Sequence, residues 1–502
     1  MLASASIDGC RENAMNIAGR LNAPELTVIV ARAMPWRDGA ESLARWRGEV
    51  APFQRAVVRE TLRALLHPHQ SRHVVLIGLR RIGKTVAMRQ CVAALIDRGI
   101  AADRIGWLRL DHPQLLAIPL GSLVQGMIDE ANATRDDPVY MFLDEVTASK
   151  DWDLWLKTFY DEEWPVRIVA TSSATSLLRT VRHESGAGRW REISLSPWLV
   201  HELGGFLGVP QPQVSGDLHS ALLKKPHVPT SPQRFSWQWL AGQASALGGF
   251  PEGWNHLLGT DLAGTDLVAA QERLRAEIVE NAIYRDLALA VGIEHPHKVE
   301  QLLSILAAQV GQIASPQKLG ADIVVGQPTV DRYLAHLTDI HLVFRLYNYA
   351  PTEESMQRRN RKVFLADNAV CNAVLGRPAW TLTPSESGNL RENQVAVHLQ
   401  AYATRRGMRL YYWRDAKKRE VDFVLPDPAA PIAIEVASSA NHGREGVRAL
   451  AALRPELRGR IWLTWPEADW HSPETDPDGV GAYPTGELLA IAGKLSEGRV
   501  EV

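Results

Sequence analysis

The chain has 502 residues, of which 46% are hydrophobic and 22% charged, and its formal net charge is −2. That length accommodates several domains, and the balance excludes both a disordered chain and a globally basic nucleic-acid binder, leaving local basic patches open. Three scattered cysteines, Cys10, Cys91 and Cys371, make neither a disulfide framework nor a metal knuckle, which fits a cytoplasmic location.

No apolar stretch is long enough to span a bilayer, so no membrane is expected. Residues 1–25 lack the basic start and apolar core of a signal peptide. Residues 26–33 are a short apolar run and residues 36–39 read as a turn. Residues 50–66 carry apolar side chains at helical spacing, and His67-Pro68-His69 breaks that helix as a solvated turn rather than a metal pair.

Residues 73–90 organise the rest. An apolar run at 74–77 leads into Gly78-Leu79-Arg80-Arg81-Ile82-Gly83-Lys84-Thr85 and then Val86, the pattern G-x-x-x-x-G-K-[ST] of a phosphate-binding loop. Gly78 permits a sharp turn off a buried strand, and Gly83 lets backbone N–H groups approach phosphate oxygens. The helix opening at Lys84 aims its unsatisfied N–H groups at the same anion. Lys84 reaches the outer phosphates, and the Thr85 hydroxyl suits Mg2+.

That helix runs to about residue 98, and residues 105–110 form a strand. Residues 139–143 are a second apolar strand, closed by Asp144-Glu145. Asp144 is expected to hold Mg2+ and Glu145 to polarise the attacking water. A strand at 166–170 delivers Thr171, Ser172 and Ser173, which either sense the γ-phosphate or cap a helix at 174–180, or do both. Arg189, ahead of Arg191, is placed to reach a neighbouring subunit's γ-phosphate, with pairing to Glu184 or Glu192 as the alternative.

The strings RRIGKT, FLDEV, Asp151-Trp152, Trp155-Leu156-Lys157, ATSSA and GRWREISLSPW resemble a family of bacterial and archaeal AAA-type ATPases with a C-terminal domain of uncharacterised function. Gly248-Gly249-Phe250-Pro251-Glu252 is similar to that family's GGFPE signature, Tyr284-Arg285-Asp286 to its YRD-type helix, and Lys362 through Asp367 to its K-x-x-x-x-D strand. The resemblance implies an ATPase core, a helical segment, a winged-helix-like segment and a nuclease-like end. It places an N-terminal segment at 1–48, the AAA-type domain at 49–200, a helical linker or lid at 201–296, a winged-helix-like segment at 297–350, a PD-(D/E)xK nuclease-like domain at 351–475 and a tail at 476–502.

The residues themselves support a winged helix: helices at 302–310, from Ser315 and at 329–338, then an apolar run at 342–346. Its reading face would offer Gln327, Thr329, Asp331, Arg332 and His336, one arginine against one aspartate, which favours a structural or protein-binding role over DNA reading. In the last domain, Glu392 on a helix with Asp422 and Glu435 on strands resembles the metal-binding layout of the PD-(D/E)xK nucleases. The lysine expected two residues after the second acid is Ala437, so a nuclease-like fold without cleavage is expected. The turn residues Lys417 and Lys418 read as solvated, and the acids either keep a metal or are satisfied by Arg414 or Arg419. Residues 461–465 form a strand, 473–483 a loop and 486–495 a closing helix.

The expected fold is α/β: an AAA-type P-loop NTPase domain, a helical and winged-helix middle, and a C-terminal restriction-endonuclease-like α/β domain. The expected function is Mg2+-dependent ATP binding and hydrolysis acting as a switch or motor on a DNA or protein partner, in a homo-oligomer. An ATP-gated DNA nuclease and a winged-helix DNA-binding regulator are the alternatives.

Overall fold

The computed structural model describes residues 32–67, 73–172, 188–225, 236–254, 264–288, 292–350, 352–357, 360–377 and 383–498. Residues 26–31, Pro68, His69, Ser173, the helix expected at 174–180 and Glu184 lie outside the described residues, as do the side chains of Arg285 and Asp286. The chain divides into two compact units, one of residues 1–78 with 83–195 and the other of 79–82 with 196–502.

The first unit is a parallel five-stranded sheet of β1 (His73–Ile77), β2 (Ile105–Arg109), β3 (Val139–Asp144), β4 (Val166–Ser172) and β5 (Trp190–Ser194). The strand order is β2-β3-β4-β1-β5. Every residue of β1 and β3 is buried, as continuous apolar runs in a helix-covered parallel sheet should be. The order reverses at β1, whose neighbours are β4 and β5, so a ligand crevice is expected at its C-terminal end. β4 extends through Thr171 and Ser172, further than the apolar run alone indicated.

Two sequence expectations change here. The helix expected from residue 50 begins at Ala56: Pro52 disfavours helix at Ala51, and Gln90 Nε2 donates to the carbonyls of Ala51 and Phe53 at 2.8 and 2.7 Å. Helix Gly39–Glu49, not expected from the sequence, joins this unit through Trp46, whose ring lies 4.9 Å from that of Trp36. Trp36 Nε1 in turn donates to the carbonyl of Ile105, so the unit begins before residue 49.

The second unit is built on an eight-stranded mixed sheet: β6 (Ile313–Ala314), β7 (Val343–Asn348), β8 (Arg361–Leu365), β9 (Tyr411–Arg414), β10 (Glu420–Leu425), β11 (Ile432–Val436), β12 (Ile461–Trp465) and β13 (Val480–Pro484). Helix Pro296–Ala308 precedes β6, helices Pro316–Ile323 and Gln327–Asp339 lie between β6 and β7, and the strands form an antiparallel β6–β8–β7 ladder. β7 also pairs in parallel with β9, so the sheet continues across the 350/351 boundary drawn from the sequence.

Residues 476–498 are no appendage. β13, read as loop from the sequence, pairs in parallel with β12, and Trp462 stands opposite Gly481. A Cβ at Gly481 would lie 2.6 Å from the Trp462 ring, so this strand needs the glycine that hid its β pattern. Helix Thr485–Ser496 buries Leu488 through Ala492 completely, in one core with Trp237, Trp254, Tyr402 and Trp462. The segment 201–296 contributes to that same core through Leu203, Leu222 and Leu240.

Candidate functional site

β1 ends at Gly78 (φ 147°), and the loop returns to helix Lys84–Asp97 through Gly83, which caps it in the left-handed conformation (φ 96°). Lys84 is only 6% exposed, and its ammonium donates to the Gly78 carbonyl at 2.9 Å. Leu79 and Ile82 are buried, Arg80 is partly buried and Val86 is exposed. Arg81 (φ 63°), grouped with the second unit, pairs there with Glu252 and Glu277, each at 3.0 Å.

Three strand and helix ends meet beside Lys84. Thr85 Oγ1 donates to Asp144 Oδ2 at 3.1 Å. Thr171 Oγ1 donates to Asp144 Oδ1 at 2.6 Å and accepts the Glu145 backbone N–H at 2.9 Å. β4 lies between β1 and β3, which is why its tip reaches the acidic pair. Burial raises the Asp144 carboxyl above the usual carboxylate range, helped by the Glu145 charge and opposed by the two threonine hydroxyls and Lys84. Glu145 sits in the left-handed region (φ 53°), the sharp turn that ends the strand. Ser172 Oγ lies 3.2 Å from Thr147 Oγ1.

Arg189 does not stand beside this cluster in sequence or on the same strand tips. Its Nε donates to Asp161 at 2.8 Å, a partner the sequence did not single out. Arg191 pairs with Glu60.

Residues 70–204 match a family described as an AAA domain. The first unit has an AAA-type α/β fold. Residues 243–381 and 387–465 of the chain match two domains of unknown function, DUF8612 and DUF4143. An uncharacterized protein of Haemophilus influenzae is 24% identical over 375 residues, 72% of this chain and 82% of its own length. MJ1637 of Methanocaldococcus jannaschii, also uncharacterized, is 21% identical over 82% of this chain and 85% of itself. Among solved structures, ORC1 of Aeropyrum pernix in complex with DNA is 16% identical, covering 66% of this chain and 94% of that one, with a TM-score of 0.28. The RuvB branch migration motor of Thermotoga maritima is 14% identical over 61% and 94%, also with a TM-score of 0.28.

Besides the AAA domain, the second unit gathers the acids expected at its end. Two of them, Glu392 and Asp422, converge on an ammonium. Lys362, on β8 and nearly inaccessible, donates to Glu392 at 2.8 Å and Asp422 at 3.1 Å and lies 2.6 Å from Glu420. Glu435 Oε2 accepts the Asp422 N–H, Asp422 Oδ2 accepts the Val436 N–H, and His442 lies 3.0 Å from Glu435 Oε1. A register irregularity between Val421 and Val424 re-aims this stretch of β10. Burial, then the Asp422 charge, pushes Glu392 up to about 8 and Glu435 up to about 7. Burial pulls on the Lys362 ammonium, yet Asp422, Glu392 and Glu420 together hold it well above the usual lysine value. Among the described residues no group of three or more His, Cys, Asp or Glu is disposed to hold a metal ion.

The sequence offered Arg414 or Arg419 as partners for these acids. Arg414 pairs with Glu420, at 3.5 Å, and Arg419 pairs with Asp415. Lys417 and Lys418 are exposed, as expected. In the sequence Lys362 stands out only as one end of a motif. The other end, Asp367, is buried and accepts the N–H groups of Ala369 (2.7 Å) and Gly249 (2.9 Å), so two family-like motifs far apart in sequence meet there.

No helix among the described residues is long and apolar enough to cross a membrane.

Proposed function

We propose that the chain binds ATP with Mg2+ at residues 78–86, hydrolyses it, and uses the cycle as a switch or motor on a nucleic-acid or protein partner in the cytoplasm. The observation that carries this reading is the hydrogen-bonded set Thr85–Asp144–Thr171 beside a buried Lys84 held by a loop carbonyl. A hydroxyl and a carboxylate 3.1 Å apart are hard oxygen donors suited to Mg2+. Bound Mg2+ supplies charge neutralisation between phosphate oxygens.

Lys84 exchanges the Gly78 carbonyl for phosphate oxygens. The N–H groups of the loop and of the start of helix Lys84–Asp97 donate to the anion's oxygens. Glu145 takes a proton from the attacking water, and Thr171 fixes the backbone from which it projects. Thr171 and Ser172 then sense the γ-phosphate. Arg189 completes a neighbour's site in a homo-oligomer only after leaving Asp161.

The experiment is mass photometry with and without ATP and Mg2+, read beside phosphate release. A nucleotide-dependent rise in mass supports the shared site. No adenine-nucleotide affinity in the presence of Mg2+ removes the whole reading.

In the second unit we read a nuclease-like domain that does not cleave. Ala437 removes one expected ammonium, and Lys362 pairs with Glu392 and Asp422, two of the three acids that would otherwise hold metal. Helices 316–323 and 327–339 are read as a protein-binding winged helix. Of the side chains expected to face DNA only Gln327 and Arg332 are exposed, Thr329, Asp331 and His336 being partly buried.

A further inference from the structure

Ser387, Arg391 and Gln394 recur at helical spacing and share one face of helix Pro384–Arg405. Gln238, Gly242 and Ser245 do the same on helix Trp237–Leu247. Gln394 Nε2 donates to the Ala241 carbonyl at 3.0 Å and ties the two helices together. These faces, with Thr485 at the start of the last helix, line an open cleft of about 340 Å3 within the second unit. A Cβ on Gly242 would meet nothing within 4 Å, so the space beside it is room rather than contact.

Arg391 is the one charged side chain lining this cleft. It is partly buried, and among the described residues no hydrogen bond or ion pair engages its guanidinium. The charge of Glu467 acts on it without direct contact. A guanidinium drawn out of water with no hydrogen bond is costly, and its planar fork of donors suits an oxyanion. The neighbouring polar groups also have donors to offer, since each oxygen already accepts one hydrogen bond. Gln238 Oε1 accepts the Gly486 N–H at 3.1 Å, which leaves its NH2. Thr485 Oγ1 accepts from Thr464 Oγ1 at 3.0 Å, and Ser245 Oγ accepts from Asn368 Nδ2 at 3.4 Å, which leaves both O–H groups. Ser387 adds another hydroxyl.

We propose that this cleft binds a phosphate monoester. A tetrahedral dianion accepts hydrogen bonds from several directions, as donors on three different helices require, whereas a planar carboxylate accepts chiefly in its own plane. The volume is that of a small-molecule pocket. The monoester is either a free mononucleotide or the terminal phosphate of a nucleic-acid strand. No residue of the loop 78–86 takes part, so this inference stands apart from the ATP reading.

The test uses the full chain saturated with a non-hydrolysable ATP analogue, so that phosphate added later meets a filled loop. Calorimetric titration with AMP, with a 5′-phosphorylated trinucleotide and with its 5′-hydroxyl counterpart separates the sources. We expect a further site for AMP or the phosphorylated trinucleotide, silence for the 5′-hydroxyl form, and affinity about tenfold or more weaker in Arg391→Met. Arg391→Lys keeps the charge and loses the fork, so it falls between. Equal affinity in Arg391→Met, equal binding of the 5′-hydroxyl strand, or no further site in the parent overturns the proposal. Should Arg391→Met fail to fold, amide exchange on the parent decides. AMP or the phosphorylated trinucleotide must protect residues 237–247 and 384–394, and unchanged exchange there overturns it.

Discussion

Thr171 donates to Asp144 at 2.6 Å while the same oxygen receives the N–H of Glu145 at 2.9 Å, so one hydroxyl from β4 fixes both acids at the tip of β3. Thr171→Val removes both bonds: the Asp144 carboxyl keeps only Thr85, and the Glu145 N–H is left unsatisfied, at about 1–3 kcal/mol. The expected outcome is a lower urea midpoint together with a loss of ATP turnover. Thr171→Ser, which retains the hydroxyl, should recover most of each; failure of the serine to rescue would separate the methyl group's packing from the bonds.

Asp144 carries a raised carboxyl because it is buried. In the nucleotide-free protein the folded state therefore binds its proton more tightly than the unfolded chain, and stability falls as pH rises from the usual carboxylate value through the raised one. Asp144→Asn should accordingly melt higher than the parent at neutral pH, with the difference closing below the ordinary carboxylate range. The same variant should fail to couple Mg2+ to ATP. Melting curves across pH, without nucleotide, check the sign.

Lys84 is buried and already bonded to a carbonyl, so its loss removes a charge-assisted contact to phosphate. Lys84→Ala should weaken ATP binding by about tenfold to a hundredfold, the equivalent of 1.5–3 kcal/mol. Glu145→Gln should bind ATP normally and stall before hydrolysis. Turnover at the parental rate in a single-turnover assay would remove Glu145 as the base.

Lys362 balances three carboxylates from one helix and one strand. Lys362→Met strands them, and the expected destabilisation is about 3–5 kcal/mol. Mn2+ should restore part of that loss in the variant and leave the parent's melting temperature unchanged, since ligands stabilise only a state that binds them. Stabilisation of the parent by Mn2+, or Mg2+-dependent DNA cutting lost in Asp422→Ala, would restore the nuclease reading.

Gly248 (φ 70°) presses on Asp367, where a Cβ would lie 1.8 Å from a carboxylate oxygen and 2.5 Å from the Ala369 Cβ. Gly248→Ala should destabilise the second unit by about 3 kcal/mol or more. Gly253, five residues on with nothing within 4 Å, is the control, and Gly253→Ala should be neutral or stabilising by about 0.4–1 kcal/mol. Equal urea midpoints for the two variants would remove packing as the reason for the glycine pair.

What the sequence determined by itself was local. The order strand, glycine loop, lysine, helix is short in sequence, and so is an apolar run that ends in two acids; phosphate chemistry demands both, and both stand at their expected places. Ser315 capping a helix and Asp367 capping another are likewise contained within a few residues. Tertiary structure decided which distant groups share a proton or a charge. Lys362 finds Glu392 and Asp422 across thirty and sixty positions, Arg189 finds Asp161 across twenty-eight, and Gly481 tolerates no side chain because Trp462 lies opposite. The reason is physical: backbone conformation and capping depend on neighbours along the chain, whereas the cost of a buried charge depends on whatever the fold brings within about 3 Å of it.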